Sequence, residues 1–221
     1  MRLLSVPEAA EHLSVSPRRV RQMLVDGTLE GHRVGRGWAI EDLAIRAAAA
    51  RRRPAHRPWT ARSAWSVLAM ADGMEPRCNS YERSRAARRL AVGLPNLLDR
   101  LGSRAQRLTF YAHPATRDRI AVQPGVVRTA ASASPEHGLG IVGSGPLDAY
   151  LKRGDLQAIR DAFVLEERSE RANIVLRVVD DHLWPFPDGA VAAPPAVVAV
   201  DLLESEDERS RRAGAELLQH L

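Results

Sequence analysis

The chain has 221 residues, 45% of them hydrophobic, with only 4 Trp, 3 Tyr and 3 Phe, so small aliphatic cores in one to three domains are expected. No apolar run approaches the roughly 18 residues of a membrane helix and no export signal opens the chain, which predicts a cytoplasmic protein with no membrane partner. The single cysteine, Cys78, cannot form an intramolecular disulfide, as is usual in a reducing compartment.

Charge is distributed unevenly along the chain, although it sums to only +5. Residues 1–62 carry 12 arginines against 6 acidic residues, and residues 63–130 carry 11 against 5. Residues 131–221 carry 9 basic against 16 acidic residues. The first part therefore offers surface for phosphate groups, whereas the last part would repel nucleic acid.

Two short helices separated by a tight turn are predicted at the start of the chain. Ser5 is placed to cap the first helix, with Pro7 in its first turn and Glu8 three residues after the cap. Its apolar face consists of Val6, Ala9, Ala10 and Leu13. Ser16 opens the second helix and Gly27 ends it.

The second helix has an apolar and a polar face. Val20, Met23 and Leu24 are expected to face the first helix. The opposite face carries Arg18, Gln22 and Val25, with Arg19 and Arg21 at its edges. Because Arg can pair with guanine and Gln with adenine in the major groove, this is predicted to be a recognition helix.

A β-hairpin with a Gly-Arg-Gly tip, Gly35-Arg36-Gly37, is predicted to follow the second helix. A further helix is predicted from Ile40 to Ala50, with Glu41 and Asp42 in its first turn. Two helices followed by such a hairpin have the layout of a winged helix-turn-helix that docks on duplex DNA.

Residues 4–43 resemble the excisionase/MerR-like winged helix-turn-helix family. The matching residues are Leu4 to Ala10, Ser14 to Ser16, Val20-Arg21, Gly27, Arg33-Val34-Gly35 and Trp38. The resemblance implies DNA binding, with Arg36 at the wing tip near the backbone or minor groove and Trp38 in the small core. The candidate DNA-binding residues are Ser16, Arg18, Arg19, Arg21, Gln22, Arg33 and Arg36. The alternative is a protein-binding domain with a solvated arginine-rich face.

Residues 51–58 are predicted to be a linker because they hold two prolines among basic residues, and they form either a hinge or a phosphate-contacting arm. Residues 59–104 are predicted to be helical. Thr60 caps a helix that runs to Ala71, and a second stretch from Tyr81 to Leu101 is interrupted near Gly93. Its basic residues Arg83, Arg85, Arg88 and Arg89 form an exposed face or add backbone contacts.

Residues 105–221 are predicted to form a separate domain, which makes the chain α+β overall. The predicted strands are Leu108–Ala112, Val126–Ala133, Ala149–Leu151, Asn173–Val179 and Ala196–Leu202. The predicted helices are Pro114–Ile120, Gly154–Phe163 and Asp207–Leu221.

Several segments of this domain resemble the C-terminal domain of AbiEi-type antitoxins. They are Thr129–Ala133, Asp148–Leu151, Asn173–Val179, Asp201–Ser205 and Arg211–Leu218. The resemblance implies a transcriptional regulator that represses its own toxin–antitoxin operon, with duplex DNA and a cognate nucleotidyltransferase-type toxin as partners. The alternatives are an antitoxin that neutralises its partner directly through the acidic domain, and an excisionase-like architectural factor.

No combination of residues predicts an active site, a metal or a cofactor, so a non-enzymatic protein is expected. Asp180-Asp181-His182 has no second group of ligands at a recognised spacing. The glycine-rich stretch Gly138–Gly145 lacks the P-loop Lys-Ser/Thr and is followed by Pro146, which favours a plain loop. Cys78 has no matching His/Asn constellation.

The small size of the predicted winged domain indicates how many protein molecules bind one DNA site. A module of this size buries only about 600–1,000 Å² on DNA and reads a few base pairs. Selective binding then requires two copies, either as a homodimer or through cooperative binding at repeated sites.

Overall fold

The computed structural model describes residues 3–13, 15–27, 29–35, 37–41, 44–45, 58–141, 145–167, 171–205 and 207–221. The predictions made for Ser14, Arg36, Asp42, residues 46–57 and residues 142–144 lie outside these residues. The fold is mixed α+β, with ten helices and two sheets among the described residues. The chain divides into an N-terminal unit, Met1–Ala55, and a C-terminal unit, His56–Leu221.

The N-terminal unit begins with the two predicted helices, α1 (Val6–His12) and α2 (Pro17–Val25). The capping box of α1 is confirmed: the Ser5 backbone N–H donates to Glu8 Oε2 at 2.7 Å, and the Glu8 N–H donates back to Ser5 Oγ. These bonds satisfy donors that a helix start leaves unpaired. After α2 the chain turns at Gly27, whose φ of +74° is left-handed.

Three short strands complete this unit: β1 (Leu3–Leu4), β2 (His32–Val34) and β3 (Gly37–Glu41), in the order β1-β3-β2. In the antiparallel β2–β3 hairpin, Val34 pairs with Gly37. Gly35 has a φ of +60°, which glycine adopts without strain.

The predicted helix from Ile40 to Ala50 is wrong at its start, because Ile40 and Glu41 belong to β3. Ile40 is fully buried and pairs with Leu4. Strand β3 therefore extends as far as Glu41, and its last two residues pair with β1. Helical backbone is present at Ala44 and Ile45, and residues 46–50 lie outside the described residues.

The core of the N-terminal unit joins both helices to the sheet. Its buried side chains are Leu4, Val6, Ala9, Ala10, Leu13, Val20, Leu24, Leu29, Ile40 and Ile45. Trp38 and Met23 are half-buried and pack against this cluster, as the sequence predicted.

The C-terminal unit has eight described helices. They are α3 (Ala61–Ala71), α4 (Ser80–Leu90), α5 (Leu98–Leu101), α6 (Pro114–Ile120), α7 (Ser134–His137), α8 (Leu156–Phe163), α9 (Pro195–Leu203) and α10 (Glu208–Leu218). Thr60 caps α3 at the predicted position, and α6 has the predicted bounds. The helix predicted from Asp207 to Leu221 is α10, for which Asp207 is the N-cap. The predicted interruption near Gly93 is a 3-10 turn at Leu94–Leu97.

Its four strands are β4 (Gln106–Phe110), β5 (Val127–Arg128), β6 (Leu147–Lys152) and β7 (Ile174–Val179), in the order β4-β7-β6-β5. β6 and β7 are parallel, and the other two pairings are antiparallel. All six residues of β7 are buried, because the strand is central and both faces of the sheet are covered.

The two faces of this sheet carry separate cores. Leu176 and Leu151 face the side on which α6 and α8 pack. Tyr150 and Val179 face the side that holds α3, α9 and α10. The helices of residues 59–104 share this second core with the sheet, so in the structure they belong to one compact unit with residues 105–221.

Two predicted strands are wrong. Residues Ala196–Leu202 lie in helix α9, which is buried on every side and therefore has no polar face to reveal its period. Of the predicted strand Val126–Ala133, only Val127 and Arg128 form β5, and Ala130–Ala133 is a 3-10 turn.

Candidate nucleic-acid interface

The outer face of α2 is exposed, as the sequence predicted. Val20 and Leu24 are buried against α1 and the sheet, whereas Arg18, Arg19, Arg21 and Gln22 are exposed. Val25, on the same outer side, is 74% exposed. An apolar side chain left in water beside polar groups that can read base edges is compatible with an interface, for instance with a thymine methyl group.

No ion pair among the described residues neutralises the positive charge of this face. None of the ion pairs formed among the described residues involves Arg18, Arg19 or Arg21. Three guanidinium groups within four consecutive residues repel one another, and an anion placed among them would relieve that repulsion. The face is therefore suited to a polyanionic ligand.

Ser16 is the N-cap of α2. Its hydroxyl oxygen accepts the Arg19 N–H at 3.2 Å, while Pro17 occupies the first turn, where no N–H is needed. The side chain of Ser16 thus fixes the start of the helix, and its exposed position leaves the hydroxyl close to any ligand at the N-terminus of α2.

The β2–β3 hairpin contributes Arg33, which is exposed and pairs across the strands with Trp38. The Arg33 guanidinium carbon lies 5.9 Å from the Trp38 ring centroid, a cation–π distance. This contact places the Arg33 guanidinium over the ring of Trp38, which packs on the core. Arg36 itself lies outside the described residues.

The carboxylates of the Asp180-Asp181-His182 cluster have structural partners. Asp180 pairs with Arg153, whose hydrogen bond lowers the pKa of that carboxyl, and Asp181 accepts the Gly154 N–H at 3.0 Å. Within the described parts of the chain, no group of three or more His, Cys, Asp or Glu residues could hold a metal. Cys78 is a half-buried free thiol.

A buried polar network in the C-terminal unit was not predicted. Arg104 donates to Tyr150 Oη at 3.0 Å, pairs with Asp201, and reaches Glu204 Oε1 at 2.7 Å. Asp201, only 1% exposed, also accepts the Thr129 hydroxyl.

Arg177 completes this network from β7. It forms a bidentate pair with Asp148 at 2.7 and 3.0 Å and reaches Glu204 at 2.8 Å. Burial raises the pKa of Glu204, but the two arginines outweigh burial and lower it to about 2. Through these paired charges the network joins α9 and the residue after it to the sheet.

The comparisons with known proteins cover the N-terminal unit. Residues 3–53 match the family model of a helix-turn-helix domain, a range that includes α1, α2 and the hairpin. No curated protein and no solved structure matches the chain. The match supports a DNA-binding helix-turn-helix at the N-terminus, and hence a function in DNA binding and transcription regulation. Among the described helices, none is long and apolar enough to cross a membrane.

Proposed function

We propose that the protein is a sequence-specific DNA-binding transcriptional regulator that places α2 in the major groove of duplex DNA. The observation that carries the proposal is the exposed, arginine-rich outer face of α2 within a region that matches a helix-turn-helix domain. Arg18, Arg21 and Gln22 read base edges on this face. Arg19, Ser16, Arg33 and Arg36 contact phosphates, with the hairpin acting as a wing.

The experiment first selects a preferred duplex from a randomised library with the full chain, and then measures its affinity for variants. Arg18→Ala and Gln22→Ala should each reduce the binding free energy by about 1–3 kcal/mol, or the affinity by about 5- to 150-fold. The reduction should be larger for the selected sequence than for a random duplex. Arg36→Ala should weaken binding to selected and random duplexes alike. It should also lower the slope of log affinity against log salt concentration by the value of about one phosphate contact.

Arg212→Ala is the matched control, because this arginine is exposed on α10 and already paired with Glu216. It should bind the selected duplex like the wild type. If Arg18→Ala and Gln22→Ala also bind like the wild type, α2 does not read the bases and the proposed docking is wrong.

The proposed regulator binds its operator as two copies, either as a homodimer or cooperatively. The support is the size of the N-terminal unit, since one module covers roughly 600–1,000 Å² and a few base pairs. Footprinting combined with light scattering should show two half-sites about 10 bp apart or a multiple of this spacing. A monomer that protects one short site at nanomolar concentration would contradict the two-copy proposal.

A narrower role is supported by the C-terminal unit. Four of the five segments that resemble AbiEi-type antitoxins contribute to one buried network, through Thr129, Asp148, Arg177 and Asp201, and the fifth lies on α10, which packs in the same core. On this support we propose an autorepressing antitoxin whose partner is a nucleotidyltransferase-type toxin. Co-expression with the product of the neighbouring gene tests the role. If the neighbouring product stops growth and co-expression of this protein restores it, the antitoxin role is supported. If the neighbouring product does not affect growth when expressed without this protein, the role is refuted.

A further inference from the structure

A groove with a strongly positive lining lies on the surface of the C-terminal unit, with a volume of about 970 Å³. It runs along α4 and is closed by the segment at Trp59 and by the start of α5. Its characteristic side chains are Trp59, Tyr81, Arg85, Arg88, Arg89 and Arg100. We call this feature the cationic groove.

The four arginines of the cationic groove have no acidic partner in the part of the chain that the structure describes. Arg83, on another side of the same helix, is by contrast paired with Glu75. Burial, followed by the charges of Arg85 and Arg100, lowers the pKa of Arg89. The groove thus gathers like charges that repel one another and that a polyanion would neutralise.

Aromatic side chains accompany these charges. The Arg89 guanidinium carbon lies 4.1 Å from the Trp59 ring centroid, within stacking distance of the indole face. Trp59 is held in turn by its backbone N–H, which donates to the Arg100 carbonyl at 2.9 Å. Tyr81 is 67% exposed, although burying a large ring is normally favourable.

The spacing of these residues gives the groove its length. Tyr81, Arg85, Arg88 and Val92 follow one another at intervals of three or four residues, so they form a stripe along α4 and the turn after it. At 1.5 Å per residue the stripe is about 16 Å long. This length exceeds one nucleotide and suits a few nucleotides of an extended strand.

We propose that the cationic groove binds single-stranded nucleic acid, with phosphates on Arg85, Arg88 and Arg100 and bases stacked on Tyr81 and on the Trp59–Arg89 pair. A positive groove that follows the backbone, combined with aromatic platforms for unpaired bases, is the usual arrangement of single-strand binding. In a duplex the base faces are stacked on one another, so an exposed ring would gain nothing. This site is additional to α2 and does not depend on the proposed duplex recognition.

The test uses the full chain and measures fluorescence anisotropy with 12-nucleotide oligothymidine DNA, the corresponding oligouridine RNA and a random duplex. Arg85→Gln with Arg88→Gln should weaken binding of the single strand at least tenfold and lower the salt slope by about 1.4, the value for two phosphates on a single strand. Tyr81→Ala should lower the affinity by about fivefold or more. The three side chains are exposed, and thermal melting verifies that the variants fold.

Arg83→Gln is the matched control on α4, because Arg83 is paired with Glu75 outside the groove. It should keep single-strand affinity, as should Arg18→Ala with Gln22→Ala on α2. Loss of binding to DNA, RNA or both in the groove variants supports the proposal and identifies which strand is bound.

Four results would overturn the proposal. The groove variants could bind single strands like the wild type, or they could lose duplex binding by the same factor, or a mononucleotide could compete as well as the oligomer. Loss of single-strand binding in the α2 variant would also overturn it, by assigning that binding to the N-terminal unit. If the α2 variants bind duplex DNA like the wild type, only the proposed function is refuted. If the groove variants bind single strands like the wild type, only the cationic groove proposal is refuted, so the two outcomes are distinguishable.

Discussion

Asp72→Asn should stabilise the C-terminal unit at neutral pH and remove part of its pH dependence. Asp72 follows the last residue of α3, where the helix dipole disfavours a negative charge. Its Oδ1 accepts the Ala196 N–H in the first turn of α9 at 2.7 Å. Its Oδ2 is buried and has no hydrogen-bond partner among the described residues.

The magnitude follows from the pKa of this carboxyl. Burial raises the pKa of Asp72 to about 6 from 3.8, although the bond from Ala196 and the nearby His137 oppose the rise. The folded state therefore holds this proton more tightly than the unfolded state, so stability falls as pH rises from about 4 to 6. At about 1.4 kcal/mol per pKa unit the loss is roughly 3 kcal/mol, or about 2 kcal/mol after allowance for solvent screening.

An asparagine at this position keeps the acceptor for Ala196 and carries no charge. Denaturation followed by tryptophan fluorescence reports mainly on the C-terminal unit, because three of the four tryptophans, Trp59, Trp65 and Trp184, lie in it. At pH 7 the variant should be more stable than the wild type by about 2 kcal/mol, and the difference should shrink toward pH 4. Asp188→Asn, at an exposed carboxyl, is the control and should be as stable as the wild type at pH 7.

An Asp72→Asn profile that is parallel to the wild-type profile between pH 4 and 7 would refute this reasoning. The charge of Asp72 would then be fully compensated in the fold, and the unpartnered Oδ2 would cost nothing. A variant that is less stable at pH 7 would show instead that the ionised carboxyl is needed as a helix cap for α9.

Two further predictions concern packing. Leu24→Ala should destabilise the N-terminal unit by about 2–5 kcal/mol, since Leu24 is only 7% exposed, whereas Val25→Ala on the exposed side should melt like the wild type. Gly214→Ala should loosen the contact of α10 with α9 and cost about 1–3 kcal/mol, because an added Cβ would lie 2.8 Å from the Ala199 carbonyl oxygen. Gly102→Ala is its control, with nothing within 4 Å, and an equal loss of stability in both variants would contradict the packing argument.

Elements with local signals could be predicted from the sequence. The helix that starts after Ser5 and the helix that starts after Thr60 each have a side-chain cap that satisfies a free backbone N–H, and the structure contains both bonds. Pro114 marks the first turn of α6 in the same way. In α2, the alternation of polar and apolar residues correctly separated buried Val20 from exposed Gln22.

Elements that depend on distant parts of the chain could not be predicted in this way. Helix α9 is apolar all round, and such a run cannot be distinguished from a buried strand by its period. Pro195 in its first turn and Asp201 within the apolar run were the available signals. A buried acidic residue needs a positively charged or hydrogen-bonding partner. The partner of Asp201 is Arg104, which is 97 residues away along the chain and could not be identified from local sequence.

The candidate interface shows the same limit. The outward face of α2 was predictable because a single helix defines it, while its contacts with DNA stay a prediction. The arginines of α4 were recognised as a charged face, but the groove also requires Trp59, which precedes them by more than twenty residues. Only the fold places the Trp59 ring under Arg89.

The structure also changes what the charge distribution implies. The acidic excess of residues 131–221 suggests from sequence a surface that repels nucleic acid. Three of its acidic residues, Asp148, Asp201 and Glu204, are instead paired with Arg104 and Arg177 inside the fold. Paired charges within a core contribute little to the field outside, whereas the arginines of the cationic groove line the surface without an acidic partner among the described residues. The same compact unit can therefore be acidic in its later sequence and still present a positive groove.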